Sequence, residues 1–498
     1  MTKRPALCIH GHFYQPPREN PWTGRVEAQP SAAPAHDWNE RITSECYRPN
    51  SAARLHAADD LPDRELSNYA NMSFDFGPTL LTYLAREQKD VHEAILAADR
   101  DAQRRFSGHG SAIAQGYSHA ILPLASQRDR RTEIRWGLRD FEMRFGRDSE
   151  GLWLPECAVD TPTLEALADE GVRFTILAPG QAARVRRIGS RTWRDFRGGG
   201  HGIDTRLPYL VELASGRSIA VFFYDGAIAH QVAFGQALQN GSAFLEALED
   251  HMPPAPSLVH MATDGETYGH HHRFAEMGLA WVLDRVGRGA NAFDLTVYAE
   301  FLDRHPPTHE VEIVEKSSWS CAHGIERWRG DCGCSGGRRQ GHQGWRGPLR
   351  EALDTLRDLL APVFEREGRG LLRDPWAARD DFAEVLVRRL PRTEKDFLER
   401  HQAQPLGAEQ QLRALELLDM QRHALLMYAS CAWFFDDLGD IEPMQGLAHA
   451  ARAIELSGPA DSPRIERIFR SALAHAVSND GENGSAILDR VLAENRPA

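Results

Sequence analysis

The sequence predicts an α/β fold, a parallel sheet or barrel, followed by a C-terminal helical bundle. Three observations predict it. Short apolar runs alternate with amphipathic stretches through the first half. A compact helical pattern lies between two of those runs, giving strand, helix and strand in succession, the signature of βαβ units. Beyond about residue 348 the strand signals vanish and helical spacing takes over.

The strand candidates are Ala6 to His10, Gly151 to Pro155, Arg173 to Ala178, Ile219 to Tyr224 and Ser257 to Thr263. Each is short and apolar, which fits a strand buried on both faces. Between the second and third, TPTLEALADEG reads as a helix with Thr161 as N-cap, Pro162 as first helical residue and Gly171 as its stop. Two Gly-rich stretches must be irregular: RGGGHG near 197 to 202 and DCGCSGGRRQGHQGWRG near 331 to 347. Loops of this kind often cover an active site. From Gln411 to Leu456 the residues Leu412, Leu415, Leu418, Leu425, Leu426 and Ala429 recur at near-helical spacing. That pattern stops at Ser457-Gly458-Pro459, and Ser462-Pro463 opens another helix. No internal repeat is visible.

At 498 residues the chain is too long for one ordinary domain. Its net charge of −13 argues against a nucleic-acid or anionic-membrane partner, both of which need a basic surface. A neutral ligand such as a sugar is compatible with it. The start, MTKRPALCIHGHF, has a short apolar stretch broken by His10 and His12 and lacks a secretory core. No run approaches the roughly 20 apolar residues that span a bilayer. Seven cysteines, an odd number, fit a reducing cytoplasm better than a disulfide framework. The expectation is a soluble cytoplasmic enzyme.

Five segments could carry chemistry. In Gly-Leu-Trp-Leu-Pro-Glu-Cys-Ala, a strand delivers Glu156 just after Pro155, where it must end or bend. The carboxyl ends of parallel strands form the active-site face, and the neighbouring Trp153 offers an indole face to a pyranose ring. In His260-Met-Ala-Thr-Asp264-Gly-Glu266-Thr-Tyr268-Gly, a strand again ends in acids, crowded by His270, His271 and His272. Asp264 and Glu266 are both candidates there, and Gly265 lets the backbone turn sharply between them. His10 and His12 share a face of the first strand, ahead of Gln15. They could bind a metal or a substrate hydroxyl, but without a third ligand nearby they are weak metal evidence. Ser118-His119-Ala-Ile-Leu-Pro is a further polar cluster. The last segment runs from Ser317 through Trp319, Cys321, His323, Glu326 and Trp328 to Asp331, Cys332 and Cys334. Its four Cys and His could be read as zinc ligands, although Cys-x-Cys is not the usual Cys-x-x-Cys knuckle. The reading preferred from sequence is a sugar-cleft lining, with Trp319 and Trp328 as platforms and Glu326 and Arg327 on hydroxyls, and with no metal or cofactor.

Taken in order, these segments resemble glycoside hydrolase family 57. His12 through Pro16 is similar to its opening His-Gln-Pro motif, with Phe13 and Tyr14 interposed. Ser118 to Pro123 resembles the segment after its second motif. Trp153-Leu-Pro-Glu156 resembles the third, whose Glu is the family's nucleophile. Thr263 to Gly269 resembles the fourth, whose Asp is its general acid/base, and Trp319 to Trp328 occupies the place of the fifth. Cys431-Ala-Trp-Phe-Phe-Asp-Asp looks like the subgroup with an added C-terminal domain of unknown function.

The resemblance implies a distorted (β/α)7 barrel over 1–310, an active-site loop region over 311–348 and a helical domain over 349–498. It implies a retaining, α-glucan-directed double displacement with Glu156 and Asp264 catalytic. His10, His12, Gln15, His119, Trp153, Glu266, Tyr268, His271, Trp319, Glu326 and Trp328 would contact an oligo- or polysaccharide. Two other readings stay open: a metal-dependent hydrolase like a polysaccharide deacetylase, and a glucan-binding protein without turnover.

Overall fold

The computed structural model describes residues 4–55, 64–196, 202–251, 257–336 and 341–496. Most of the RGGGHG stretch and part of the second Gly-rich stretch lie outside them. The chain forms two compact units. The first gathers Met1–Gln15, Ala28–Gln115 and Arg144–Trp319, the second Pro16–Glu27, Gly116–Met143 and Ser320–Ala498.

Among the described residues of the first unit, seven parallel strands form a ring, β1 (Ala6–Phe13), β2 (Ser73–Phe76), β3 (Ala112–Gln115), β4 (Leu152–Trp153), β5 (Phe174–Leu177), β6 (Ser218–Phe223) and β7 (Leu258–Asp264), and the short Asp294–Leu295 pairs in parallel beside β1. β7, β1, β2, β3 and β4 pair in that order. A parallel bridge between Gly151 and Phe174 carries the ring on to β5, which pairs with β6. The Asp225 N–H then donates to the His260 carbonyl at 2.9 Å, returning the circuit to β7. This is the distorted seven-stranded barrel expected. Its distortion sits at two thin joints, where pairing falls to a bridge or a single hydrogen bond. From β6 a second, mixed sheet runs outward through Pro208–Glu212, His309–Ile313, Ala182–Arg187 and Arg194–Asp195.

The five expected strands are β1, β4, β5, β6 and β7, with β1 longer than predicted and β4 only two residues. The helix after β4 is Thr161–Asp169, but its cap is Asp160, whose carboxylate accepts the Thr163 N–H at 2.8 Å. Thr161 cannot serve because its hydroxyl bonds Glu315. Gly171, at φ 81°, follows as the left-handed stop.

The second unit is helical, led by Arg346–Leu371, Ala408–Leu426, Ile441–Leu456, Ser462–Leu473 and Gly484–Asn495. Among the described residues no strand follows His309–Ile313. The predicted apolar stripe is buried at Leu418, Leu425, Leu426 and Ala429, but its start is not: Leu412 is 60% exposed, and the buried face there runs through Ala414 and Leu417. Two earlier segments, Pro16–Glu27 and Gly116–Met143, join the helices in this unit. Trp136 donates from Nε1 to the Arg379 carbonyl at 2.7 Å, and the buried Arg379 guanidinium meets Asp129 at 2.7 Å. Trp22 Nε1 likewise reaches Glu455 at 2.9 Å. No helix among the described residues is long and apolar enough to cross a membrane.

Candidate active site

Parallel pairing brings the carboxyl ends of the strands to one rim. His12 on β1 lies in register with Asp264 on β7 on one side and with Asp75 on β2 on the other. One row across three strands therefore reads acid, imidazole, acid.

Asp75, fully buried, is the hub of this row. His10 Nε2 lies 3.0 Å from its Oδ1 and His12 Nδ1 2.8 Å from its Oδ2. Gln115, in the amide orientation that satisfies both its partners, donates to Oδ2 at 2.9 Å. Ser73 Oγ meets the other His10 nitrogen at 2.9 Å. Burial outweighs Asp75 at His10 and holds its imidazole below its ordinary value. At His12 burial is overcome by Asp75, then Asp264 and Glu266, which push the imidazole up to about 9. A proton on His12 is thereby favoured in the folded chain.

Glu156 owes its aim to the backbone. Leu154 is extended, Pro155 ends the strand, and Glu156 (φ 58°) and Cys157 (φ 48°) are both left-handed. Left-handed non-glycine residues cost of order 1–3 kcal/mol each and persist where surroundings over-determine them. The surroundings here are the 317–319 segment and Gln181. Gln181 Nε2 donates to the Cys157 carbonyl at 2.7 Å and to Ser317 Oγ at 3.1 Å. Val159 N–H donates to the Ser317 carbonyl at 3.0 Å, and Trp319 N–H to the Glu156 carbonyl at 3.1 Å. Trp319 Nε1 then donates to Glu156 Oε2 at 3.1 Å.

Asp264 ends β7 with its side chain open to solvent yet walled by protein. That crowding raises its carboxyl above the ordinary value; His12 opposes the shift and Asp75 reinforces it. Asp264 and Asp75 both lie within electrostatic reach of Cys157, next to Glu156. Tyr224, at the end of β6, feels Asp264 and stands edge-on to the Trp319 ring at 6.4 Å. Cys157 and Tyr224, each within electrostatic reach of Asp264, thus link that carboxylate to the Glu156 turn and to Trp319. Glu266 behaves differently. It is buried, accepts from Tyr47 Oη at 2.6 Å and from the Tyr14 N–H at 3.2 Å, and is pushed up to about 7 by burial.

Other expected residues fall unevenly. Trp319 is half-buried and can offer a ring face. Trp153 is fully buried, stacked under His10 at 4.9 Å and His12 at 5.0 Å, so the platform expected of it is corrected to a floor beneath the histidines. Tyr268 is also fully buried, 3.5 Å from Thr263 Oγ1, and is no surface contact. Gln15, nearly buried, donates to the Tyr14 carbonyl at 2.9 Å. His271 is solvent-exposed. His119, Glu326 and Trp328 belong to the second unit. There His119 Nδ1 meets Ser430 Oγ at 2.7 Å, Glu326 pairs with Arg329, and Trp328 is fully buried, which removes it as a platform.

Sequence reading missed Asp75, Ser73, Gln115, Tyr47 and Gln181. Only Asp75 and Ser73 left a signal, two polar residues sharing one face of the short run Ser-Phe-Asp-Phe.

A parallel β/α ring with acidic side chains at the carboxyl ends of its strands defines the class as a distorted β/α barrel protein. Within that class the chain belongs to glycosyl hydrolase family 57, whose model matches residues 9–314. Residues 341–495 match a domain of unknown function, DUF3536. The chain is similar to a 4-alpha-glucanotransferase of Thermococcus litoralis, 20% identical over 292 residues, covering 56% of this chain and 39% of that protein. An alpha-amylase of Pyrococcus horikoshii is 22% identical, over 51% of this chain and 38% of its own length. The chain thus spans about two-fifths of these relatives. Among solved structures, an exo-type maltose-forming amylase from Pyrococcus sp. ST04 superposes with a TM-score of 0.69 at 14% identity, covering 99% of this chain and 92% of that one.

Proposed function

We propose that the protein is a retaining glycoside hydrolase or transglycosylase acting on α-linked glucan, with Glu156 as nucleophile and Asp264 as acid/base. The observation that carries this is the aim of Glu156, held by a left-handed turn and the Trp319 indole beside Asp264. The names of the relatives support the substrate class.

In the first step Glu156 Oε attacks the anomeric carbon while Asp264 gives its proton to the departing glycosidic oxygen. In the second, Asp264 takes a proton from water or a sugar hydroxyl, which displaces Glu156 with net retention. A raised Asp264 suits the first step because the carboxyl must start protonated. His12, cationic between Asp75 and Asp264, keeps that raise in check and favours the ionised form needed next. Glu266, buried and tied to Tyr47, fits a positioning role better than the acid/base role left open for it.

The test is product analysis on maltooligosaccharides, amylose and glycogen. Shorter chains mark hydrolysis, redistributed lengths transfer, and new branch points branching. Glucan binding with no product from any of the three would overturn the enzyme reading.

A further inference from the structure

The segment between His309–Ile313 and Arg346–Leu371 contains, among its described residues, only one helical turn, Glu326–Trp328. Long irregular connections need something besides secondary structure to order them. In the second unit this segment carries a converging group of side chains that the proposed glycosidic chemistry does not use.

Cys321 Sγ lies 3.9 Å from Cys332 Sγ and 3.8 Å from Cys334 Sγ, and Cys334 Sγ lies 3.5 Å from His323 Nδ1. All four ligand atoms fall within 4.8 Å of one another. A tetrahedral zinc with Zn–S of about 2.3 Å and Zn–N of about 2.05 Å requires edges of about 3.8 Å between sulfurs and about 3.6 Å between sulfur and nitrogen. The three short separations meet those edges. A disulfide needs its sulfurs at about 2.05 Å, and three thiols with an imidazole cannot all be satisfied by pairing.

The local chain fits the same reading. Each ligand pair is two residues apart, Cys-x-His and Cys-x-Cys. Gly333, at φ 75°, takes the left-handed turn between Cys332 and Cys334. The backbone N–H groups of His323 and Arg327 point at Cys321 Sγ, as donors do around a metal-bound thiolate. Arg346 Nη1 holds the Cys334 carbonyl at 2.9 Å, fixing the far end of the loop.

We infer that Cys321, His323, Cys332 and Cys334 hold one structural zinc ion that orders the loop from residue 320 to 336. Three thiolates and an imidazole favour zinc over magnesium or calcium. Four protein ligands leave no open position, so the site is structural rather than catalytic.

The full chain, purified from zinc-supplemented culture and passed over a chelating resin, is analysed for metals by mass spectrometry. About one zinc per chain is expected, falling to near none in Cys332→Ser and staying in Cys431→Ser. Because ligand variants can misfold, the native chain is also stripped and refilled with Co(II). Thiolate-to-cobalt charge transfer with strong tetrahedral bands is expected, and trypsin should cut at Arg329 faster in the stripped protein. A folded chain without zinc whose refilled form lacks those bands would overturn the site. So would zinc that Cys332→Ser leaves in place, or an iron–sulfur spectrum instead.

Discussion

Trp319 holds Glu156 at two points: its indole Nε1 donates to Oε2 and its backbone N–H to the Glu156 carbonyl, each at 3.1 Å. One residue thus fixes both the strained turn and the carboxylate on it. Trp319→Phe keeps the backbone bond and an aromatic face but removes the indole donor. A hydrogen bond to a charged group contributes about 1.5–3 kcal/mol, so kcat on a maltooligosaccharide should fall by about 10- to 100-fold. Steady-state kinetics check this. An unchanged kcat would mean that the turn alone aims the carboxylate.

Glu156→Gln preserves shape and can still accept from Trp319 Nε1, but an amide is no nucleophile. Turnover should drop by at least about a thousandfold while circular dichroism and glucan binding by calorimetry hold near wild type. Wild-type turnover in this variant removes Glu156 from the mechanism.

Asp264→Asn separates the acid role from binding. Activated aryl glycosides leave without a proton, whereas a glucosyl leaving group does not. The loss should therefore be about 10- to 100-fold greater on maltooligosaccharides than on aryl glucosides. Azide should speed Asp264→Ala on the aryl substrate, because this anionic nucleophile displaces Glu156 from the anomeric carbon as a glycosyl azide without needing a general base. Equal losses on both substrates, with no azide effect, would transfer the role to Glu266.

What the sequence revealed and what it concealed have one cause. Runs such as Ile219 to Tyr224 stand out because burial on both faces demands continuous apolar residues. β2 and β3 escape the same reading because Ser73, Asp75 and Gln115 interrupt theirs, and those polar residues serve the site. Glu156 and Asp264 were legible as acids at strand ends. Asp75 was not, because its importance comes from a register that sets β2 beside β1, which no local pattern encodes. Trp153 misled for the reverse reason: adjacency to Glu156 in sequence puts it on the strand below, buried under two imidazoles. The Cys and His ligand set was visible, but the segment 321–334 has no periodicity from which convergence could be read.

The His12–Asp75 pair gives a pH dependence whose sign is fixed. His12 is raised to about 9 in the folded chain, burial being outweighed by Asp75 and the rim carboxylates, against about 6.5 when unfolded. The stability it contributes, roughly 3 kcal/mol, is fully present below about pH 6.5 and is lost as pH rises through about 9. Asp75→Asn removes the chief charge holding His12 up and leaves a buried network short of its acceptor, which costs about 3–5 kcal/mol at pH 6. Urea unfolding at pH 6, 7.5 and 9.5 should show the gap between wild type and variant narrowing with pH. His12→Asn gives an independent curve if the Asp75 variant does not fold. A gap that stays constant from pH 6 to 9.5 in both variants would mean that His12 is neutral in the native barrel, and that Asp264 titrates without a cation beside it.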